Sequence, residues 1–401
     1  MNMKRGVKSE MPRDCKLIYP GKKSEYDIIH ETPCVQLKSV KVFGGGTILE
    51  ENWTNMLIFG DNLPVLKSLL RELKGKVRLI YIDPPFGTGQ EWRSGEATVS
   101  FSEEDELAYE DLELSAEYLE FLRERLILLR EILADDGSIY VHIDCKAGHY
   151  VKVLMDEIFG EKNFVNDITR IKCNPKNFAR RGYGNFKDMI LFYSKTSKMV
   201  WNDSREPFTE EDVRRLFPKV DKDGRRYTTN PLHAPGETKN GATGQPWRGM
   251  LPPKGRHWRY PPEVLEELDK RGLIEWSSRG VPRKKIYADE FVKKGKKRQD
   301  VWEFKDPPYP EYPTEKNLEM LKVIIEASSN PGDIVLDAFC GSGTTLVASE
   351  VLNRRWIGID NSPIAIKTTI KRLLKIKHRK AFTLYNATGK DLPQTLQEIL
   401  Q

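Results

Sequence analysis

One segment narrows the fold of this chain more than any other. Residues 77 to 82 are short, apolar and rich in β-forming side chains, and Asp83-Pro84-Pro85-Phe86 follows them directly. Prolines supply no backbone donor and fix the chain direction, so the run predicts a buried parallel strand that ends in a rigid turn. Chains built from such strands fold as α/β domains, whose active-site loops lie at the carboxyl ends of the strands.

The turn after this strand combines a carboxylate with an aromatic ring. The Asp83 side chain and the carbonyls of Asp83 and Pro84 can accept hydrogen bonds from an amino group, and Phe86 offers a stacking face. Together these groups suit a nucleobase that carries an exocyclic amine. The tetrapeptide alone is weak evidence, because an Asp that ends a strand before a proline turn is also a common structural arrangement.

A second strand and turn lie far downstream. Residues 333 to 339 predict another buried strand, and the sequence CGSGTT follows at residues 340 to 345, with a helix beginning near Leu346. Two glycines allow the backbone to approach a ligand closely, and Asp360, which ends the next strand, can bind ribose hydroxyls. The segment lacks the Lys of a Walker A loop and the third glycine of the dinucleotide fingerprint, which disfavours triphosphate and pyrophosphate ligands.

The two motifs together resemble those of a known enzyme family. DPPF at residues 83 to 86 and DAFCGSGTT at residues 337 to 345 are similar to the motifs of DNA amino-methyltransferases that use S-adenosylmethionine. Their order, with DPPF first and the cofactor loop last, is that of the permuted beta class, the adenine-specific DNA methylase family. The resemblance implies an α/β, seven-stranded, Rossmann-like fold that is circularly permuted, with its last two strands in a hairpin and strand 333–338 beside strand 77–82.

The same resemblance divides the chain into four parts. They are an N-terminal extension (1–50), a catalytic half (51–195), an inserted target-recognition region (196–305) and a cofactor-binding half (306–401). We expect 1–50 to be irregular, and 87–114 to be a long acidic loop that folds over a substrate. A second DPPY, at residues 306 to 309, follows a segment that does not look like a buried strand, so we predict a connecting loop that is dispensable for methyl transfer.

The resemblance also implies a role for individual residues. The catalytic set is Asp83, Pro84, Pro85 and Phe86, which would accept the N–H groups of a flipped-out base and stack on its ring. The cofactor-binding set is Asp61, Lys316, Asp337, Phe339, Gly341, Gly343, Thr344 and Asp360.

Two of these assignments have alternatives, and one residue of the glycine loop is expected to have no catalytic role. Asp61 would accept from the cofactor's adenine amine, or would instead cap a helix that starts at Asn62. Lys316 would pair with the cofactor carboxylate, or would simply precede a helix. Cys340 has no catalytic role in this chemistry and is expected to pack beneath the loop.

The target base is predicted to be adenine, since in this family an Asp at the head of the tetrapeptide is more typical of adenine modifiers. The exocyclic amine of cytosine is the alternative, and Phe86 in place of the commoner Tyr does not decide between them. Two alternatives come from other classes of protein. A DNA-binding protein without catalysis would not need Asp83 or the glycine loop, and a nicotinamide-dependent oxidoreductase would leave DPPF unexplained.

Positive charge is concentrated in the middle of the chain. Residues 201 to 300 contain 23 Lys plus Arg against 16 Asp plus Glu, a net of +7, whereas the whole chain carries +6. Basic and aromatic residues alternate in 241–260, which suits phosphates and bases. The candidates for DNA binding are Trp247, Arg248, Lys254, Arg256, Trp258 and Arg259. For the two tryptophans core packing is the alternative, and for the basic run 293–298 it is a solvated loop.

Cysteines and histidines give no sign of a metal site or a disulfide framework. The five cysteines form no CxxC pair, and the six histidines have no metal-ligand spacing. No apolar run has the length of a signal core or a membrane span, so we expect a cytoplasmic protein without a membrane partner. The expected partner is double-stranded DNA, and the sequence leaves open a homodimer and a companion restriction endonuclease.

Overall fold

The computed structural model describes most of the chain. It covers residues 15–44, 53–87, 91–94, 99–100, 106–110, 113–175, 181–238, 240–308, 310, 312 and 315–400, with backbone only for the three short pieces between 91 and 110. Parts of three predictions lie outside the described residues: 1–14 and 45–50 of the N-terminal extension, 88–90, 95–98, 101–105 and 111–112 of the segment 87–114, and Tyr309 of the second DPPY. The chain forms two compact units, which we call unit 1 (residues 1–202 and 299–401) and unit 2 (residues 203–298).

Helices and strands are numbered in chain order. The described helices are α1 (Glu25–Glu31), α2 (Asn62–Leu73), α3 (Ala116–Ile132), α4 (Gly148–Phe159), α5 (Glu210–Leu216), α6 (Pro262–Lys270), α7 (Ala288–Val292), α8 (Leu318–Ser328), α9 (Thr344–Val351), α10 (Pro363–Leu374) and α11 (Gln394–Leu400). The described strands are β1 (Lys38–Phe43), β2 (Asn55–Phe59), β3 (Val77–Ile82), β4 (Glu91–Ser94), β5 (Val99–Ser100), β6 (Glu106–Glu110), β7 (Leu133–Ile143), β8 (Phe164–Ile171), β9 (Lys187–Ser194), β10 (Arg205–Glu206), β11 (Lys219–Val220), β12 (Arg226–Pro231), β13 (His233–Pro235), β14 (Arg256–Trp258), β15 (Ile274–Trp276), β16 (Pro282–Tyr287), β17 (Lys296–Lys297), β18 (Val301–Glu303), β19 (Ile334–Asp337), β20 (Arg355–Asp360) and β21 (Phe382–Asn386).

Unit 1 is built on a ten-stranded sheet in the order β1-β21-β2-β20-β19-β3-β7-β9-β8-β18. Strands β2, β20, β19, β3 and β7 run parallel, and β9 is antiparallel to both β7 and β8. These seven strands form the predicted core with its terminal hairpin, so the methyltransferase-like fold is confirmed. Strands β1, β21 and β18 extend the sheet beyond the seven that we predicted.

Side-chain alternation along β3 explains why helices cover both faces of this sheet. Ile80 and Ile82 belong to a buried cluster that includes residues of α2, α3 and α4. Leu79 and Tyr81 belong to a different cluster, which includes residues of α8 and Ala348 of α9. Because successive strand residues point to opposite faces, β3 is apolar throughout and buried on both sides.

Two local predictions for unit 1 are wrong, and one short edge strand was not predicted. The N-terminal extension is not irregular throughout: Ile28 anchors α1 in the core, and β1 pairs with β21 at the edge of the sheet. The segment 87–114 contains a three-stranded antiparallel sheet, β5-β4-β6, rather than loop alone. The residues before the second DPPY include β18, which pairs with β8 and buries Trp302. Edge strands need only one partner, so their sequence signal is weak.

Unit 2 has a separate small core. A four-stranded antiparallel sheet in the order β11-β12-β16-β15 is accompanied by the two-stranded pairs β13-β14 and β10-β17. Its largest buried cluster consists of Leu232, Trp247, Trp258, Leu265, Leu268 and Ile274. No helix in the described part of the chain is long and apolar enough to cross a membrane.

Candidate active site

The two sequence motifs meet at the carboxyl ends of neighbouring strands. Val335 of β19 is in register with Leu79 of β3, and Leu336 is in register with Ile80. The DPPF turn and the glycine loop therefore leave the sheet side by side, as predicted. In open α/β sheets this edge is where ligands bind.

Asp83 has one oxygen engaged and one oxygen free. Its Oδ2 lies 2.5 Å from the Nζ atom of Lys316. Its Oδ1 is buried and has no hydrogen-bond partner among the described residues. A buried acceptor without a partner loses its hydrogen bonds to water and gains none in the protein, which costs roughly 1–3 kcal/mol. The turn thus holds an acceptor that a bound amine can satisfy.

Lys316 directly precedes the cap of helix α8, as one of our two alternatives had it, and it also makes a contact that we did not predict. Its ammonium pairs with Asp83 and lies 5.3 Å from the centre of the Phe86 ring. Helix α8 is capped by the next residue, Asn317, whose side chain accepts from the Met320 N–H. Lys316 is therefore part of the DPPF site, where it holds the Asp83 carboxylate in one orientation.

A buried tyrosine on α3 fixes the turn from the other side. The Tyr118 hydroxyl donates to the carbonyl of Pro85 at 2.7 Å, and Tyr118 is fully buried. Helix α3 starts just before it, where the Ser115 side chain accepts from the Tyr118 N–H. This contact was not predicted, since a tyrosine on an apolar helix face gives no signal of its own.

A chain of buried polar side chains lies beneath Phe86. The His142 ring is 6.2 Å from the Phe86 ring, between centres, and its Nδ1 lies 2.8 Å from the Tyr81 hydroxyl. Its Nε2 faces Asp188 at 3.2 Å, and Asp188 also pairs with Lys172. Burial lowers the pKa of His142, so the ring is neutral and can donate from Nε2 while accepting at Nδ1. This arrangement fixes the ring behind Phe86.

The glycine loop depends on two residues with left-handed backbone. Gly343 has φ 75°, and a Cβ atom there would lie 2.6 Å from Cγ2 of Thr369. Gly341 has φ 50°, and its N–H donates to Asp360 Oδ2 at 2.8 Å. Helix α9 starts directly after Gly343, at Thr344, so its free N–H groups point out of the loop. The loop and helix start form the cradle that the sequence predicted.

Buried carboxylates give this cradle an unusual charge. Burial raises the pKa of Asp337 to about 7, and the charges of Asp83 and Asp360 add to the effect, against hydrogen bonds from Thr345 and the Phe339 N–H. Burial likewise raises the pKa of Asp360. Both shifts mean that negative charge is poorly compensated here. A ligand with positive charge would relieve it.

Asp61 caps helix α2, which confirms the alternative that we gave for it. Its Oδ1 accepts from the Leu63 N–H at 3.0 Å and from Arg125 Nη2 at 2.9 Å. The neighbouring Asn62 accepts from Arg125 Nε and donates to the Ala338 carbonyl at 2.6 Å. Arg125, which sequence analysis missed, thereby ties α3 to the start of the glycine loop.

Two aromatic rings complete this side of the cradle. The guanidinium of Arg125 stacks 3.6 Å from the centre of the Phe121 ring. Phe121 in turn lies 6.2 Å from Phe339, measured between ring centres. Phe339, a predicted cofactor-binding residue, is thus held against α3. Cys340, next in the chain, is buried and packs with Leu346, as expected.

Comparison with known proteins agrees with this geometry. The family model described as DNA methylase matches residues 77–371. The Type II methyltransferase M.EcaI of Enterobacter cloacae is 45% identical over 362 residues, which cover 89% of this chain and 77% of that protein. The chain belongs to the DNA methylase family.

Two further relatives differ in how much of their length this chain covers. The Type III restriction-modification enzyme StyLTI Mod subunit of Salmonella typhimurium is 28% identical over 344 residues, and this methylase spans about half of it: the alignment covers 76% of this chain and 51% of the subunit. The DNA adenine methyltransferase YhdJ of Escherichia coli is 26% identical over 333 residues, which cover 82% of this chain and 86% of YhdJ.

The predicted DNA-binding residues of the methylase fall into two groups. Trp247 and Trp258 are both buried in the core of unit 2, so core packing, our alternative for them, is correct and base stacking is not. Arg248 pairs with Glu266 and Asp269 and supports the same core. Lys254, Arg256 and Arg259 are exposed, as Arg248 is, but they form no ion pair with the described residues. The alternating sequence could not separate these groups, because both look alike along the chain.

Among the described residues of the second DPPY of the methylase, Asp306 makes structural contacts. Its Asp306 follows β18 in a loop, as predicted, and pairs with Arg170, whose side chain is almost entirely buried. The backbone N–H of Asp306 donates to the Lys172 carbonyl at 2.8 Å. These contacts hold the connection against β8 and leave Asp306 no role at the edge where Asp83 lies.

Proposed function

We propose that this DNA methylase transfers a methyl group from S-adenosylmethionine to the exocyclic amino group of a flipped-out adenine in double-stranded DNA. The observation that carries the proposal is the buried Oδ1 of Asp83, which no described residue engages, beside the Phe86 ring and next to the glycine loop. An amine donor that stacks on a ring would satisfy both groups at once.

The glycine loop suits S-adenosylmethionine by charge and by shape. Asp337 and Asp360, with raised pKa values, favour a ligand that carries an ammonium and a sulfonium group. Gly341 and Gly343 leave room for the close approach of a ligand to the backbone. The residues that would hold it are Asp337, Phe339, Gly341, Gly343, Thr344 and Asp360, with Asp61 at the start of α2. When bound, the cofactor supplies an electrophilic methyl group.

The protein's own residues prepare the amine. The exocyclic nitrogen of adenine shares its lone pair with the ring. Asp83 Oδ1 and the Pro84 carbonyl, by accepting its two N–H groups, would favour a more tetrahedral nitrogen whose lone pair is directed outward. Lys316 and the Tyr118 contact to Pro85 hold these acceptors still. No covalent enzyme intermediate is needed, which fits the buried Cys340.

The base must leave the duplex to reach this site. Extrusion costs a few kcal/mol, and stacking on Phe86 would return part of it. Adenine is the proposed base because Asp83 heads the tetrapeptide and because YhdJ, a relative along most of its length, is named as a DNA adenine methyltransferase. Unit 2 is the proposed target-recognition region, and a cytoplasmic location is part of the proposal because the proposed substrate is DNA.

Two partners extend this proposal. A companion restriction endonuclease is suggested by relatives that are named as restriction-modification proteins, among them the Mod subunit. A homodimer is a further proposal. Size-exclusion chromatography with light scattering tests the homodimer directly, and a mass of about one chain would exclude it.

The function can be tested with duplexes in which only adenine or only cytosine is available for methylation. We expect label from S-adenosylmethionine on adenine, and label on cytosine alone would refute the choice of base. Asp83→Asn should bind the cofactor normally by calorimetry and lose turnover, because an amide replaces one acceptor oxygen by a donor. The matched control is Asp306→Asn in the second DPPY, which should retain activity. Normal turnover by Asp83→Asn would refute the assignment of the catalytic site.

A further inference from the structure

Four basic side chains converge on one place in unit 2. They come from segments around β13, β14 and β16: His233, Arg256, Arg259 and Arg283, which we call the His233 cluster. Arg256 Nη1 lies 3.1 Å from His233 Nδ1, and the backbone N–H of Arg259 donates to the Leu232 carbonyl at 2.7 Å. Arg283 is in register with Pro231, two residues before His233. Strand pairing therefore fixes the cluster.

Each guanidinium of the cluster is anchored by neutral acceptors. Arg283 donates to the hydroxyl and the carbonyl of Thr229, at 2.9 and 2.8 Å, and Arg259 Nε donates to the Pro231 carbonyl at 3.1 Å. These contacts use only some of the five N–H groups of each arginine. The same contacts fix the guanidinium groups, and no described residue is shown to accept from their remaining N–H groups.

No carboxylate neutralises the cluster in the described part of unit 2. None of its three arginines forms an ion pair there, whereas Arg248 does so with two acids. Glu275 is in register with Arg283 but is engaged by Lys219 and Tyr227. Glu237 is close along the chain, and its Oε1 accepts the Gly255 N–H.

The pKa of His233 reflects the same excess of positive charge in the cluster. The pKa of His233 is lowered, first by burial and then by the charges of Arg256, Arg259 and Arg283. An anion within the cluster would oppose this effect. Fixed, unpaired arginines cost stability through mutual repulsion unless a ligand compensates them.

We infer that the His233 cluster binds the phosphate backbone of the DNA duplex. Guanidinium forks match phosphate oxygens in two-point geometry, and surface arginines with anchored stems lose little freedom on binding. Such contacts give affinity and register but no sequence information. The inference rests on the proposed function for the identity of the polyanion, and it adds His233 and Arg283 to the DNA-binding surface while Arg248 and the two tryptophans leave it.

The test measures how duplex affinity depends on salt, by fluorescence anisotropy with the full chain. Each phosphate contact contributes about −0.9 to the slope of log K against log salt concentration. Arg256→Gln and Arg259→Gln should each make the slope less steep by about 0.9, which corresponds to about eightfold weaker binding at 0.1 M salt. Arg259→Lys should restore most of the slope. The matched control is Arg214→Gln, an exposed arginine on α5 that pairs with Glu210, and its slope should equal that of the wild type.

The outcomes separate the two proposals. The proposal that the His233 cluster binds phosphates would be overturned if the Arg256 and Arg259 variants had the same slope as the Arg214 control. Unchanged circular dichroism would show that these variants are folded. Loss of affinity for one DNA sequence only, with an unchanged slope, would also overturn the proposal, because that result indicates base readout. In either case methylation by the wild type would leave the proposed function standing, and a wild type that binds duplex but never methylates it would refute that function alone.

Discussion

Asp337→Asn is predicted to stabilise the cofactor-free protein at pH 8 and to abolish cofactor binding. The pKa of Asp337 is raised from 3.8 to about 7, chiefly by burial. The folded protein therefore retains a proton on Asp337 between about pH 4 and pH 7, where the unfolded chain has lost it. Since the folded state binds more protons, the free energy of unfolding falls as pH rises through this range.

The size of the effect follows from the shift. A shift of about three pH units at 1.36 kcal/mol each costs the folded protein about 4 kcal/mol once Asp337 is ionised. Asparagine cannot ionise, and its carbonyl can still accept the Phe339 N–H while its amide donates to Thr345. We therefore expect the variant to exceed the wild type in free energy of unfolding by up to about 4 kcal/mol at pH 8, and by only about 2 kcal/mol at pH 5.

Urea unfolding at pH 5 and pH 8, with and without S-adenosylmethionine, measures both parts of this prediction. Asp167→Asn, at an exposed position of β8, serves as the control for removal of a carboxylate and should show no such pH dependence. An equal stability difference between Asp337→Asn and the wild type at the two pH values would refute the reasoning. So would a variant that binds the cofactor as tightly as the wild type, because Asp337 would then not serve the cationic ligand.

Two other substitutions test the geometry of the site. Gly343→Ala should destabilise the protein by about 1–3 kcal/mol, from its left-handed backbone and the contact with Thr369. The control Gly389→Ala, with φ 70° and nothing within 4 Å, should lose only the backbone part in urea unfolding, and equal losses would exclude the clash. His142→Phe should lower the methylation rate at saturating substrate more than it weakens cofactor binding, since it leaves the Tyr81 hydroxyl and Asp188 without their partner behind Phe86. Unchanged turnover in single-turnover assays would contradict that support role.

The central fold could be predicted because its signals are local and repeated. Apolar runs predicted β3 and β19, and the order of the two motifs then placed these strands side by side, as the register of Val335 with Leu79 confirms. The start of helix α2 at Asn62 was predicted as one alternative, since Asp61 is a residue type that caps helices well. Strand β18 was missed because three residues at a sheet edge carry almost no periodic signal.

Side-chain partners could not be predicted in the same way. Lys316 precedes α8, far along the chain from Asp83, and only the folded sheet brings the two charges to 2.5 Å. Trp247 and Trp258 lie in a Gly- and Pro-rich segment that looks exposed, yet they form the core of unit 2 together with distant residues such as Leu265. Burial in a small unit depends on contacts that composition does not reveal.

The pairing of charged side chains distinguishes the basic residues that are free to bind a ligand from those that support the fold. The net charge of residues 201–300 says only that cations are in excess. It counts Arg248, which two acids neutralise, in the same way as Arg259, which forms no ion pair with any described residue. Unit 1 shows the opposite imbalance, because Asp337 and Asp360 are buried with little compensation. A folded protein keeps such imbalances at a cost in stability, and selection retains them where a ligand of opposite charge removes that cost. The uncompensated carboxylates of unit 1 therefore favour a cationic cofactor, and the uncompensated arginines of unit 2 favour a polyanionic duplex.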